Sequence, residues 1–242
     1  MVGQAHEGTA ERHLRQAMLL GEGSVAALSG SHVAVVGLGG VGSYAVEALA
    51  RSGVGTLTLV DKDVYSPSNL NRQLYATMET IGMPKVRAAA VRVREIDPMI
   101  TVYTRQMLVL PDNVGELDFS RFDYVIDAVD TVAAKVALAR ACADAGVPFL
   151  SCMGTGNKTD PTKFTVARID KTDTCPLARA VRLAAKKAGI PPFKVVYSTE
   201  LPVVPEERLG DLESGKPVPA SCAFVPSVAG LILAGEVIKD LI

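Results

Sequence analysis

The sequence predicts an α/β fold, a mostly parallel sheet with flanking helices, and three observations predict it. Short apolar, β-branched runs alternate with helix-periodic stretches through residues 31–152, the pattern of parallel strands joined by crossover helices. A glycine-rich turn separates the first run from the first helix of that series. Carboxylates then stand at the ends of successive runs, where an open parallel sheet binds its ligands. The 242 residues suffice for one domain with an ample core. We divide it into a helical arm (1–30), a nucleotide-binding core (31–152) and a substrate and dimerisation half (153–242). That last part carries additional strands and a C-terminal helix.

Residues 1–10 carry no apolar pattern and are expected to be disordered. A helix over 11–28 would turn Leu14, Met18 and Val25 inward and leave Arg12 and Arg15 exposed. Residues 33–36 form a strand buried on both faces. Gly37, Gly39 and Gly42 follow with Gly-x-Gly-x-x-Gly spacing, and Gly40 lies among them. Such glycines allow positive φ and let backbone approach a phosphate at the next helix N-terminus, a Rossmann-like arrangement. Val41, Tyr44, Ala45, Ala48 and Leu49 give that helix its packed face. Asp61, at the end of the second strand, stands where the ribose hydroxyls of a nucleotide would lie.

Residues 63–73 read as a polar loop beyond a strand end, containing Asp63, Asn69, Arg72 and Gln73. Arg72 and Lys85 are placed to reach phosphates, and a bidentate guanidinium suits a polyphosphate. A helix runs from Pro84 to about Ile96. Residues 101–108 alternate as a strand, 111–117 make a helical turn, and 123–130 form a strand with Asp127 and Asp130 at its carboxyl end. Two carboxylates facing phosphates suggest Mg²⁺; Asp130 could equally cap the helix that starts near Val132.

Residues 147–152 form another buried strand, 163–169 and 195–201 two more, and a helix spans 175–188. Arg179, Arg182 and Lys186 share one helical face, with Lys187 beside them, a candidate patch for a phosphate backbone or a plain solvated face. The 205–219 loop, rich in Pro and Gly, is expected to be mobile, and 224–242 form an apolar closing helix for core packing or a homodimer interface.

The bulk numbers narrow the function classes. A net charge of −1 gives no global attraction to nucleic acid, so any such surface must be local. The four cysteines, Cys142, Cys152, Cys175 and Cys222, form no Cys-x-x-Cys pair, which argues against a four-thiolate zinc site. Residues 1–30 lack a signal-peptide core, and the apolar stretch 217–235 is broken by prolines. We therefore expect a cytoplasmic protein with free thiols and no stable membrane insertion.

Taken together, Gly37-x-Gly39-Gly40-Val41-Gly42, Asp61-x-Asp63, Ser68-Asn-Leu-Asn-Arg-Gln73, Pro84-Lys85 and Asp127-x-x-Asp130 resemble the ThiF/MoeB/HesA adenylating superfamily, over nearly the whole chain. The resemblance implies a ligase-type, ATP-dependent adenylation of a carboxylate. Asp61 would hold the ribose, Asn69, Arg72 and Lys85 the phosphates, and Gln73 would support their loop. Asp130 would bind Mg²⁺. Arg12 and Arg15 sit in a motif similar to the one that reaches the partner subunit's ATP site, which implies a homodimer. Arg15, Arg72, Lys85 and Asp130 are thus the implied catalytic set.

The second half is similar to the tRNA threonylcarbamoyladenosine dehydratases. Gly154-x-Gly156-x-x-x-Asp160-Pro-Thr, Asp170-Lys-Thr, Pro176-Leu-Ala, Tyr197-Ser-Thr-Glu200 and Ala220-Ser-Cys222 carry that likeness. It implies cyclisation of a modified adenosine in the anticodon arm of tRNA, a closure that needs no enzyme nucleophile. Cys175 stands where a relative might place a thioester cysteine, but Pro176 follows it; the other three cysteines read as buried small residues. The main alternative is activation of the C-terminal carboxylate of a sulfur-carrier or ubiquitin-like protein. A nicotinamide-dependent oxidoreductase fits the glycines but leaves Arg72 and Lys85 without a duty. A monovalent cation beside ATP and a sulfur-relay partner are left open.

Overall fold

The computed structural model describes residues 11–206 and 218–242. The expected disorder of 1–10 and most of the 205–219 loop lie outside them. The core is a seven-stranded sheet of order β3-β2-β1-β4-β5-β7-β6. Its strands are β1 (His32–Val36), β2 (Thr56–Val60), β3 (Thr101–Arg105), β4 (Tyr124–Asp127), β5 (Phe149–Cys152), β6 (Phe164–Arg168) and β7 (Lys194–Ser198). All neighbours run parallel except β6 and β7, which pair antiparallel with Phe164 opposite Ser198.

Alternation along β1 builds the two faces. Val33 and Val35 join the core shared with Leu57, Leu59 and Ile126, while Ala34 and Val36 join the opposite one with Val125 and Leu138. The first face is covered by α3 (Gly42–Arg51), α4 (Lys85–Ile96) and α7 (Phe224–Leu241), and the second by α5 (Val132–Ala145). Helix α6 (Pro176–Lys187) packs on α5 and contributes Ala178 and Val181 to a third cluster with Tyr197. The closing helix α7 is a core element. A Cβ on Gly230 would stand 2.2 Å from the Val41 carbonyl oxygen, so α7 and α3 meet backbone to backbone.

The arm differs from the expected single helix. It is two helices, α1 (Leu14–Leu20) and α2 (Glu22–Gly30), broken at Gly21 with φ +88°. Leu14 and Met18 face outward, Met18 with 79% of its surface exposed. The inward contacts are polar instead: His13 packs on Gly53, Gln16 Nε2 donates to the Ser52 carbonyl at 2.9 Å, and Arg12 pairs with Asp97. The third strand ends at Arg105, short of residue 108, and the strand expected over 195–201 ends at Ser198. Among the described residues no helix is long and apolar enough to cross a membrane.

Candidate active site

The order β3-β2-β1-β4 places the direction switch of the sheet between β1 and β4, and the crevice beyond their carboxyl ends is the expected ligand site. A cavity of about 410 Å³ lies there, large enough for a nucleotide. Gly37, with φ +91°, turns the chain so tightly that a Cβ would stand 2.7 Å from the Ala128 carbonyl oxygen. At Gly42 a Cβ would fall 1.7 Å from the Gly37 carbonyl oxygen, while Gly39 and Gly40 line the cavity itself. Asp61 joins this turn to the end of β2. Its Oδ2 accepts the Leu38 N–H at 2.6 Å and its Oδ1 the Asp63 N–H at 2.8 Å. It also lines the cavity, so one carboxylate organises the turn and remains within reach of a ligand.

The cationic wall is built by a short turn, Pro67–Asn69, whose capping box ties the Ser66 N–H to Asn69 Oδ1 at 3.1 Å. Arg72 is held by donating Nη1 to the Ser68 carbonyl at 2.9 Å and to Asn71 Oδ1 at 2.8 Å. Burial draws its pKa down from the ordinary value, the response of a cation that gains from a nearby anion. Lys85, buried at the start of α4, donates Nζ to Asp63 Oδ2 at 3.1 Å. Burial works to raise the Asp63 pKa, but the hydrogen bond from Lys62 and the charge of Lys85 outweigh it and hold it low. Gln73 is buried at the cavity wall, and its Oε1 has no partner among the described residues. Gly39, Gly40, Asn69, Arg72, Gln73 and Lys85 thus surround one volume suited to a nucleoside polyphosphate.

The two strand-end carboxylates separate. Asp130 is exposed at the cavity wall; Thr131, not Asp130, holds the cap position of α5. Asp127 does not face the cavity, contrary to its expected place beside the phosphates. It is 0% exposed, paired at 3.1 Å with Lys135, also 0% exposed. The last residue of β4 points into the α5 side of the sheet, where Lys135 meets it. Among the described residues no three His, Cys, Asp or Glu side chains cluster to hold a metal ion. Asp130 alone suits Mg²⁺ shared with phosphate oxygens, since Mg²⁺ takes one or two carboxylates plus its substrate.

A second cavity, about 530 Å³, opens into the first. Arg72, Asp130, Thr155 and Ser221 line both. Its own wall includes Gly154, Gly156, Asn157, Cys175 and Pro219. Asn157, in the left-handed region at φ +57°, accepts the Ala220 N–H on Oδ1 at 2.7 Å, and its own N–H donates to the Ala220 carbonyl at 2.7 Å. Asn71 Nδ2 donates to the Ser221 carbonyl at 3.1 Å from the other side. The 107–109 segment escapes a sequence reading because no local motif marks it, while Thr155, Asn157 and Ser221 fall inside motifs that assign them no role. The glycines at 154 and 156 are their nearest signal.

On α6, Arg179, Lys186 and Lys187 are exposed, whereas Arg182 is committed to Thr172 Oγ1 at 2.7 Å and leaves the patch. Cys142, Cys152 and Cys175 are buried, while Cys222 is half-buried, not fully buried as its sequence context suggests. Burial pushes the thiols of Cys142 and Cys152 up to about 12. Arg15 is exposed on α1 and is not among the residues that line the chain's own cavity.

Such a fold and site define a Rossmann-like protein with a cavity at its strand ends suited to a nucleoside polyphosphate. The chain belongs to the ThiF family, whose model matches residues 12–242. It is 43% identical over 237 residues to the tRNA threonylcarbamoyladenosine dehydratase of Bacillus subtilis, covering 94% of this chain and 93% of that one. It is 38% identical over 201 residues to the dehydratase of Escherichia coli, covering 78% and 74%. The crystal structure of the Escherichia coli dehydratase TcdA in complex with ATP superposes with a TM-score of 0.87 at 33% identity, covering 96% and 94%.

Proposed function

We propose that this chain adenylates the threonyl carboxylate of N6-threonylcarbamoyladenosine in tRNA with ATP and closes that side chain to its cyclic form. The observation that carries this reading is the junction of the two cavities at Arg72, Asp130, Thr155 and Ser221. It supports a reading in which an acid-bearing substrate in the second cavity meets the α-phosphate of a nucleotide in the first. The similarity to the named dehydratases supplies the substrate class.

The chemistry follows from charge. A carboxylate oxygen attacks the α-phosphorus and pyrophosphate leaves, so negative charge builds where Arg72 and Lys85 stand. The carbamoyl group, tethered to the activated carbonyl, then attacks it, and the former carboxylate oxygen departs on AMP. Relative to the starting nucleoside, one water is lost. Mg²⁺ held by Asp130 would neutralise the phosphates and polarise them toward attack. Asp61 would orient the ribose, Asn69 would bind the phosphates with Arg72 and Lys85, and Gln73 would support their loop. In a cytoplasmic homodimer Arg15 would complete the partner's site; the outward Leu14, Met18 and Leu19 beside it form the apolar surface such a dimer would bury. Arg179, Lys186 and Lys187 would meet the tRNA backbone.

The test is incubation with tRNA carrying the modified nucleoside, saturating ATP and Mg²⁺, followed by nucleoside mass spectrometry. Loss of one water with release of AMP is expected. An unchanged nucleoside, with pyrophosphate exchange stimulated instead by a carrier protein ending in Gly-Gly, would overturn the reading in favour of carrier activation.

A further inference from the structure

The buried ammonium of Lys135 touches neither cavity, yet both depend on what it holds. Its three protons have three acceptors: Asp127 Oδ2 at 3.1 Å, Ser151 Oγ at 3.3 Å and the Cys152 carbonyl at 2.6 Å. Ser151 donates in turn to Asp127 Oδ2 at 2.5 Å, and Asp127 Oδ1 accepts the Val129 N–H at 3.0 Å. The network therefore closes on the carboxyl ends of two adjacent strands. One branch fixes the turn 128–130, which lines the nucleotide cavity with Ala128, Val129 and Asp130. The other fixes the end of β5, from which Met153, Gly154 and Thr155 run along the second cavity.

Stability alone does not account for such a pair. An ion pair removed from water is often no better than apolar side chains of the same volume, whereas its geometry is unforgiving. We propose that Lys135 is a positioning residue: through Asp127 and the Cys152 carbonyl it holds Asp130 and Thr155 at a fixed separation, so that the carboxylate meets the phosphate in line. Strands β4 and β5 are already paired, from Val125 opposite Phe149 to Asp127 opposite Ser151, but that ladder ends where the two loops begin. Lys135 ties the last pair of that ladder, Asp127 and Ser151, to the Cys152 carbonyl one residue further on. The kinetic consequence rests on the proposed adenylation; the structural one does not.

The test uses the double variant K135M/D127N, which removes both charges together and leaves no unpaired ion, and S151A, which weakens the network with the pair intact. Thermal melts, ATP affinity by calorimetry, amide hydrogen exchange and turnover are compared. In the double variant, exchange should quicken in 128–131 and 153–157 together, while 37–42 keep their protection. Affinity for ATP without Mg²⁺ should stay within about threefold, because Arg72, Lys85 and the glycine turn are untouched, and kcat should fall by about thirtyfold or more with little change in KM. S151A should move the same quantities the same way, by a smaller factor. A folded double variant with kcat within about threefold of wild type overturns the proposal, as does quickened exchange on one side alone. Should the double variant not fold, S151A decides: unchanged exchange in both segments overturns the proposal. Because exchange is read without substrate, its outcome is independent of whether wild type acts on tRNA.

Discussion

Two alanine substitutions within one glycine turn should fail in opposite ways. At Gly42 an added Cβ would stand 1.7 Å from the Gly37 carbonyl oxygen and 2.8 Å from its carbon. Both are backbone atoms of the turn, so no side-chain rotation relieves the overlap and the turn must open. A clash of that kind belongs with the most damaging single substitutions, about 4 kcal/mol or more. For a chain of this size that lowers Tm by about 8–16 °C. At Gly39 the added Cβ meets only Gln73 Nε2, at 3.8 Å, and the backbone there is not left-handed. The fold should tolerate it, with Tm shifted by less than about 3 °C. The methyl would nevertheless stand on the cavity wall proposed to receive the phosphates, and a loss of about 1.4 kcal/mol there raises the ATP Kd about tenfold. Differential scanning calorimetry and ATP titration read the two effects separately. A Gly42→Ala protein that melts with wild type would refute the packing argument. A Gly39→Ala protein that binds ATP normally would refute the placement of the phosphates.

Three further outcomes follow from the site and the arm. Asp130→Ala should cut ATP-pyrophosphate exchange by about a hundredfold or more while leaving the melt unchanged, because Asp130 is exposed at the cavity wall. In native protein, an aromatic disulfide reagent should modify Cys222 first, and Cys222→Ser should abolish the fast phase; burial keeps Cys142 and Cys152 protonated. His13 should make the docking of the arm acid-sensitive. Burial and then the charge of Arg12 lower its pKa from 6.5, against a smaller opposing pull from Asp97. A depressed folded pKa means that its contribution is complete above pH 6.5 and is lost as pH falls toward and through the folded value. Tm should therefore drop more steeply between about pH 7 and 5 in wild type than in His13→Gln.

What could be read beforehand follows from how far apart the cooperating residues lie. The glycine turn, Asp61, Arg72 and Lys85 are legible because each follows a strand end or opens a helix, and the chain itself places such residues beside the crevice. Lys135 is not legible: it sits in an ordinary alanine-rich helix, and only the fold brings it to Ser151 and Asp127. Asp127 turns away from the cavity toward Lys135 for a reason of the same kind, since a strand's last residue points to one face or the other according to register. The arm misleads because its inward face is polar, with His13 and Gln16 docking where an apolar stripe would be sought. The antiparallel β6 and the insertion of β7 beside β5 are likewise long-range choices that no local pattern encodes.

Helix α7 has a consequence for how the protein is made. Pro226 lines the nucleotide cavity and would lie 3.2 Å from a Cβ on Gly40, and Gly230 seats the helix on the backbone at Val41. A turn near the start of the chain is thus roofed by residues translated some two hundred positions later. On the ribosome, the strands through β5 have emerged well before that roof exists, so a nascent chain presents its phosphate loop to solvent uncovered. Nucleotide affinity, measured against chain length in stalled translation products, would therefore rise abruptly with the release of the last helix rather than with the glycine motif.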